Sequence, residues 1–185
     1  WFFQSVIGTG ATTGAGPYTH TFTEADTLSS FSVLNNISTS TKSLRQLLGC
    51  AVTTCSINTE INAPVRVSLD IPYADESFTS TTTSVLTESF DMFTFAQGSL
   101  QLPSGATLAQ VQSAALNIDN TLELIKGLGS RKAVDFVCQE RVYTGAINMA
   151  LQASADLLQK FYGSATGVNS TVAESASLVM TFTNG

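Results

Sequence analysis

The chain has 185 residues, 43% of them hydrophobic and 12% charged, with 14 acidic against 8 basic side chains and a net charge of −6. That length suits a single domain with enough interior to fold without staples. The acidic balance argues against a dedicated nucleic-acid binder, which needs clustered Lys and Arg to displace counterions from phosphates; here only Arg131 and Lys132 are adjacent.

Ser and Thr together number 47. A composition rich in hydroxyls and β-branched side chains favours strands, because such residues sit well on a pleated surface. Few charges keep copies of the chain apart, so the surface is permissive for self-association. The apolar runs are far too short for a membrane span, and no membrane anchor is expected. The opening WFFQSVIG lacks the basic flank of a signal peptide.

Residues 1–17 begin with the aromatic cluster Trp1-Phe2-Phe3 and continue through four glycines. They read as a flexible N-terminal arm whose aromatic tip must pack on its own domain or on another subunit. Tyr18 to Glu24 alternates as a strand, a turn follows at Glu24–Thr27, and Leu28 to Ile37 reads as the next strand. A longer β region covers 44–61. After the break at Asn62-Ala63-Pro64, the cleanest alternation in the chain puts Val65, Val67, Leu69 and Ile71 on one face of a half-buried strand, with Pro64 and Pro72 at its ends.

Residues 75–87 are polar and low in complexity, and read as a loop that orders only against neighbours. Phe90, Met92, Phe93 and Phe95 mark a further strand whose phase shift between Met92 and Phe93 suggests a bulge or two buried faces. Pro103-Ser104-Gly105 is a turn. The stretch from Val111 to Lys126 then reads as one long strand, which runs into the Gly-rich turn Gly127-Leu128-Gly129. VYTGAINMAL, from Val142, is another strand. The convincing helix lies at about 154–162, with Ser154 as N-cap, Asp156 in its first turn and Gly163 to close it. A last strand covers Ser177 to Thr183. This order predicts a mainly β fold: an antiparallel β-sandwich or curved, barrel-like sheet with one flanking α-helix.

Nothing in this pattern looks like catalytic equipment. His20, the one histidine, sits between threonines in a strand and reads as a packed or surface residue, since a catalytic role needs an acid and a nucleophile beside it. Asp119 and Glu123, four apart on the long strand, share a face, whereas Glu88 and Asp91, three apart, do not; solvated carboxylates on a sheet fit better than a glycosidase pair, which needs a cleft. The Gly127–Lys132 segment lacks the spacing of a phosphate loop. Cys50, Cys55 and Cys138 have no zinc-like spacing. Cys50 and Cys55 would face opposite sides of one extended strand, so buried free thiols are expected. No cofactor or metal is expected.

Taken together, Trp1-Phe2-Phe3, GTGATTGAGPYTHTFTEADTLSSFSV (8–33), LLGCAVTTCSINTEINAPVRVSLDI (47–71), VQSAALNIDNTLELIKGLGSRKAV (111–134) and VYTGAINMALQASADLLQKFYG (142–163) resemble the tail tube proteins of tailed bacteriophages and related archaeal viruses. The 111–134 block and the DLLQKFYG helix end are the most specific. The resemblance implies a structural virion protein that stacks as rings, typically hexamers, with inner sheets joined into a β-barrel around a channel. Related folds form the inner tubes of type VI secretion systems and contractile bacteriocins.

The channel of such a tube first houses a tape measure protein and then passes viral DNA without sequence-specific binding. Further partners would be tail terminator and baseplate proteins. The expected location is the virion tail, assembled in the host cytoplasm. An acidic, hydroxyl-rich wall would repel a duplex evenly and let it slide. Asp91, Asp119 and Glu123 are the expected lumen-facing residues. Trp1, Phe2, Phe3, Ser77, Phe78, Thr79, Arg131 and Lys132 are the expected inter-subunit contacts. The alternative function is a secreted carbohydrate-binding or adhesin-like β-sandwich, which the sequons Asn36-Ile37-Ser38 and Asn169-Ser170-Thr171 would suit.

Overall fold

A computed structural model describes residues 2–15, 18–36, 44–79, 92–101, 111–150 and 179–183. The expected helix at 154–162, the turn at 103–105, Trp1 and Asp91 lie outside the described residues. The fold is mainly antiparallel β, as the composition predicts. The chain divides into two compact units, one made of Trp1–Ile57, Val67–Ser89 and Leu116–Thr144, the other of Asn58–Arg66, Phe90–Ala115 and Gly145–Gly185.

In the first unit the N-terminal segment is not a flexible arm. Phe2–Ile7 forms a short helix, α1, and Gly8–Thr13 forms strand β1. β1 pairs antiparallel with β2 (Thr19–Glu24), from Gly8↔Glu24 to Thr13↔Thr19. The turn into β1 depends on Gly8, whose φ is +140° and whose missing Cβ lets the Ala25 nitrogen lie 2.5 Å from where that atom would be; only glycine tolerates both. The aromatic tip packs on its own unit, with Phe2 edge-on to Phe31 at 5.4 Å between ring centroids and Phe3 tilted against Phe22 at 5.8 Å.

The core lies under α1. Val6, Val52, Cys55 and Ile118 are buried together, and Ile7, Phe31, Ile57, Leu69, Ile71 and Leu116 pack around them. Burying each such aliphatic side chain contributes about 1.5–3 kcal/mol. Leu69 on β6 (Arg66–Asp70) and Ile71 just after it pack on the core as the expected alternation requires, while Val67 stays half exposed.

A three-stranded antiparallel sheet stands in the same unit, with order β3 (Phe31–Asn36), β4 (Leu44–Cys50), β7 (Asp75–Thr79). β7 corrects the reading of 75–87 as a loop: its first five residues form a strand paired to β4 from Leu44↔Thr79 to Leu48↔Asp75. Hydroxyl-rich segments carry weak periodicity, and here strand pairing decides where periodicity does not. Cys50 ends β4 and Cys55 lies in β5 (Thr54–Glu60), so they occupy separate strands; both are buried and free.

The long strand expected over 111–126 is two strands. β9 (Val111–Asp119) stops at Asn120, and β10 (Leu122–Lys126) starts after Thr121, whose φ is +44°. Asn120 causes the break. Its side-chain amide donates to the carbonyls of Val6 (3.0 Å) and Val52 (2.9 Å), and its main-chain N–H donates to Thr53 (2.8 Å). A residue bonded inward in this way cannot keep a regular strand alternation. β10 then pairs antiparallel with β11 (Ala133–Cys138), with a bulge between Ile125 and Lys126. β12 (Val142–Met149), β9, β5 and β6 hydrogen-bond in that order.

In the second unit, β8 (Gly98–Gln101) pairs antiparallel with β13 (Val179–Phe182), from Val179↔Gln101 to Phe182↔Gly98. The strand expected around Phe93 is instead an isolated bridge, Pro64↔Thr94, followed by a 3-10 turn at Phe95–Gln97. Phe93 packs tilted against Phe182 at 6.3 Å between ring centroids.

Candidate assembly surfaces

Among the described residues, exposed apolar groups include those on three surfaces. The first is the β3–β4–β7 sheet, whose outer strands have no further neighbour among the described strands. An unpaired strand edge is a template for another strand. Beside β3 lies an open groove lined by Phe2, Phe31, Val33 and Leu34, mostly apolar in its walls. Phe2 and Leu34 are each 50% exposed, and on the opposite edge strand Phe78 is 51% exposed.

The second surface is the β10–β11 hairpin. Its turn raises Leu128 between two glycines, where it is fully exposed, and Val134 on the outgoing strand is 71% exposed. Gly129 takes φ +82° and has nothing within 4 Å of where its Cβ would be. The third surface is β12, seven of whose eight residues are exposed, Val142, Tyr143 and Ile147 among them.

Polar side chains hold these surfaces in shape. Arg45 on β4 donates from Nε to Glu76 on β7 at 2.8 Å and stacks over Tyr73 at 5.6 Å. Lys132 donates to Asp75 at 2.6 Å. That bond holds the Asp75 carboxyl below its ordinary value of 3.8, against a weaker opposing effect of desolvation. Arg141 is a second tie: Nε donates to Asn120 Oδ1 (2.7 Å), Nη1 to Glu24 (3.1 Å) and Nη2 to the Ala25 carbonyl (3.1 Å). Tyr143 donates to the same Glu24 carboxylate at 3.1 Å. Burial pushes the thiols of Cys50, Cys55 and Cys138 up, away from the reactive thiolate.

The residues singled out in the sequence fall at distinct places. Ser77, Phe78 and Thr79 lie on the β7 edge, and Phe2 and Phe3 on α1. Arg131 and Lys132 are both exposed, and Lys132 is engaged with Asp75 of its own chain. Asp119 does not share a strand with Glu123. It ends β9 and accepts the Thr121 N–H at 2.9 Å, while Glu123, on β10, accepts from Gln139 at 2.8 Å. His20 meets Thr12 across the β1–β2 pair at 2.9 Å, on the surface.

The exposure of Leu128 had a readable signal, an apolar residue flanked by glycines in a turn. Asn120 and Arg141 gave none, because their partners are remote in sequence. Among the described residues no group of three or more His, Cys, Asp or Glu side chains could hold a metal ion, and no helix is long and apolar enough to cross a membrane.

These surfaces suit contact with other protein chains rather than chemistry on a small molecule. A family model described as phage tail tube protein matches the sequence over residues 1–185, its whole length. The chain belongs to the phage tail tube protein family. No curated protein matches the sequence. Membership makes the chain a structural tail component, of a kind that self-assembles into a tube.

Proposed function

We propose that the chain polymerises as stacked rings, hexameric as in the proteins it resembles, into the tube through which a viral genome leaves the particle. The observation that carries this reading is the three-stranded β3–β4–β7 sheet, with an apolar groove beside one outer strand and the half-exposed Phe78 on the other. Backbone pairing across such edges is directional and needs no special side chains. Phe2, Phe3, Ser77, Phe78, Thr79 and Arg131 contribute inter-subunit contacts, together with Trp1. Lys132 contributes through the Asp75 pair that shapes the start of β7.

The lumen is acidic and hydroxyl-rich, with Asp91, Asp119 and Glu123 facing it. An acidic wall of this kind repels DNA evenly along its length. A tape measure protein fills the lumen before DNA does, terminator and baseplate proteins cap the ends, and assembly takes place in the host cytoplasm. The protein has no catalytic role in this reading. Negative-stain microscopy of the purified protein across a concentration series tests it. Rings or tubes with a central channel are expected; a chain that stays monomeric at every concentration refutes it.

A further inference from the structure

The polarity of the β3–β4–β7 sheet fixes how two copies meet. β3 and β7 both run antiparallel to β4, so they point in the same direction as each other. A ring generated by rotation keeps strand direction relative to its axis. The β7 edge of one copy therefore meets the β3 edge of the next in parallel, a heterologous contact that closes into a ring. A two-fold pair would set β7 against β7, or β3 against β3, in antiparallel.

The side chains agree with the first arrangement. Cross-strand partners share a face of a sheet. Phe78 pairs with Arg45, which pairs with Asn35; Glu76 pairs with Leu47, which pairs with Val33. Phe78, Val33 and Asn35 thus occupy one face. Ser77 and Leu34, both partnered with Gln46, occupy the other. A sheet continued from β7 into the β3 of another copy brings the half-exposed Phe78 ring to the side of the groove that holds Val33.

We infer that neighbouring copies in the ring join through a parallel β7–β3 seam in which Phe78 of one copy fills the Phe2–Phe31–Val33 groove of the next. This rests on the tube reading and names the seam within it. The test uses the full chain carrying Cys138→Ser, which leaves only the buried Cys50 and Cys55. Phe78→Cys protein is mixed with Val33→Cys or Asn35→Cys protein, assembled, and mildly oxidised. Ser77→Cys mixed with Leu34→Cys supplies a second seam pair that leaves Phe78 in place.

Disulfide-linked dimers are expected from these mixtures and not from any single variant. Combining both substitutions of a pair in one chain should give a ladder ending at the ring number. Phe78→Cys with Leu34→Cys, on opposite faces, should link at least tenfold less. Dimers from Phe78→Cys alone, or equal linking on both faces, overturn the seam. Tubes visible in the same samples without any expected link overturn it too, while leaving the tube reading intact. Absence of tubes from the unsubstituted chain is the separate result that removes the tube reading.

Discussion

Replacing Asn120 with alanine tests the account of how the first unit is tied together. The side chain is 1% exposed and donates to the carbonyls of Val6 and Val52, two residues that are themselves fully buried. Asn120→Ala strands both acceptors away from water, at about 1–3 kcal/mol each, so the expected loss is about 2–6 kcal/mol. Arg141 loses its bond to Oδ1 but keeps Glu24 and the Ala25 carbonyl, which limits the damage there. Asn117→Ala is the control. It removes one bond, from Ser56 at 2.7 Å, at a partly buried site, and should cost about 1 kcal/mol. Urea unfolding of the unassembled chain, followed by circular dichroism, reads the difference. With a slope of roughly 2 kcal/mol per molar, the midpoint should fall by about 1–3 M for Asn120→Ala and about 0.5 M for Asn117→Ala. Equal shifts for the two variants would refute the view that Asn120, rather than strand alternation, organises this part of the fold.

The Asp75 carboxyl, held low by its hydrogen bond from Lys132, contributes stability that is present above the ordinary value of 3.8 and lost as pH falls through the lowered one; NMR titration should find its midpoint below 3.8, and Lys132→Ala should move it upward, whereas an unmoved midpoint contradicts the pairing. Leu128→Asp, at a fully exposed tip, should leave the stability of the unassembled chain within about 0.5 kcal/mol yet raise the concentration needed for tubes to pellet, and an unchanged threshold removes the hairpin from the assembly surface. Maleimide labelling followed by mass spectrometry should modify Cys138 first, leaving Cys50 and Cys55, buried with raised thiols, untouched until unfolding; rapid labelling of either buried thiol contradicts the described core.

What was legible in the sequence was what short-range pattern encodes. Thr19–Glu24, Arg66–Asp70 and Val142–Met149 alternate cleanly and are strands. The turn at Asn62 is real, with φ of +61° at that residue and a bond from Ala63 N–H to the Glu60 carbonyl. The misreadings share one cause: a contact distant in sequence overrode the local pattern. VQSAALNIDNTLELIK looks like one strand because nothing in it reveals that the Asn120 amide reaches Val6, 114 positions away. The glycines near the start look like a flexible arm because nothing there reveals that Gly8 is the point where the Ala25 backbone closes in.

Ser77, Phe78 and Thr79 are expected contacts because they lie in a polar, low-complexity stretch read as a loop that orders only against neighbours; folding places them in β7 and leaves Phe78 half exposed. What the sequence could not supply was direction. Only the registers of β3 and β7 against β4 show that Phe78 shares a face with Val33 and that the two edges run the same way. Those two facts turn a sticky residue into one side of an oriented joint. Because the joint is heterologous, each copy offers one edge and accepts another, and the angle between successive copies, not the strength of the contact, sets how many close the ring. A substitution that weakens the seam, such as Phe78→Ala, should therefore raise the concentration at which rings form without changing their subunit number, and a changed number would place the control of ring size at this side chain instead.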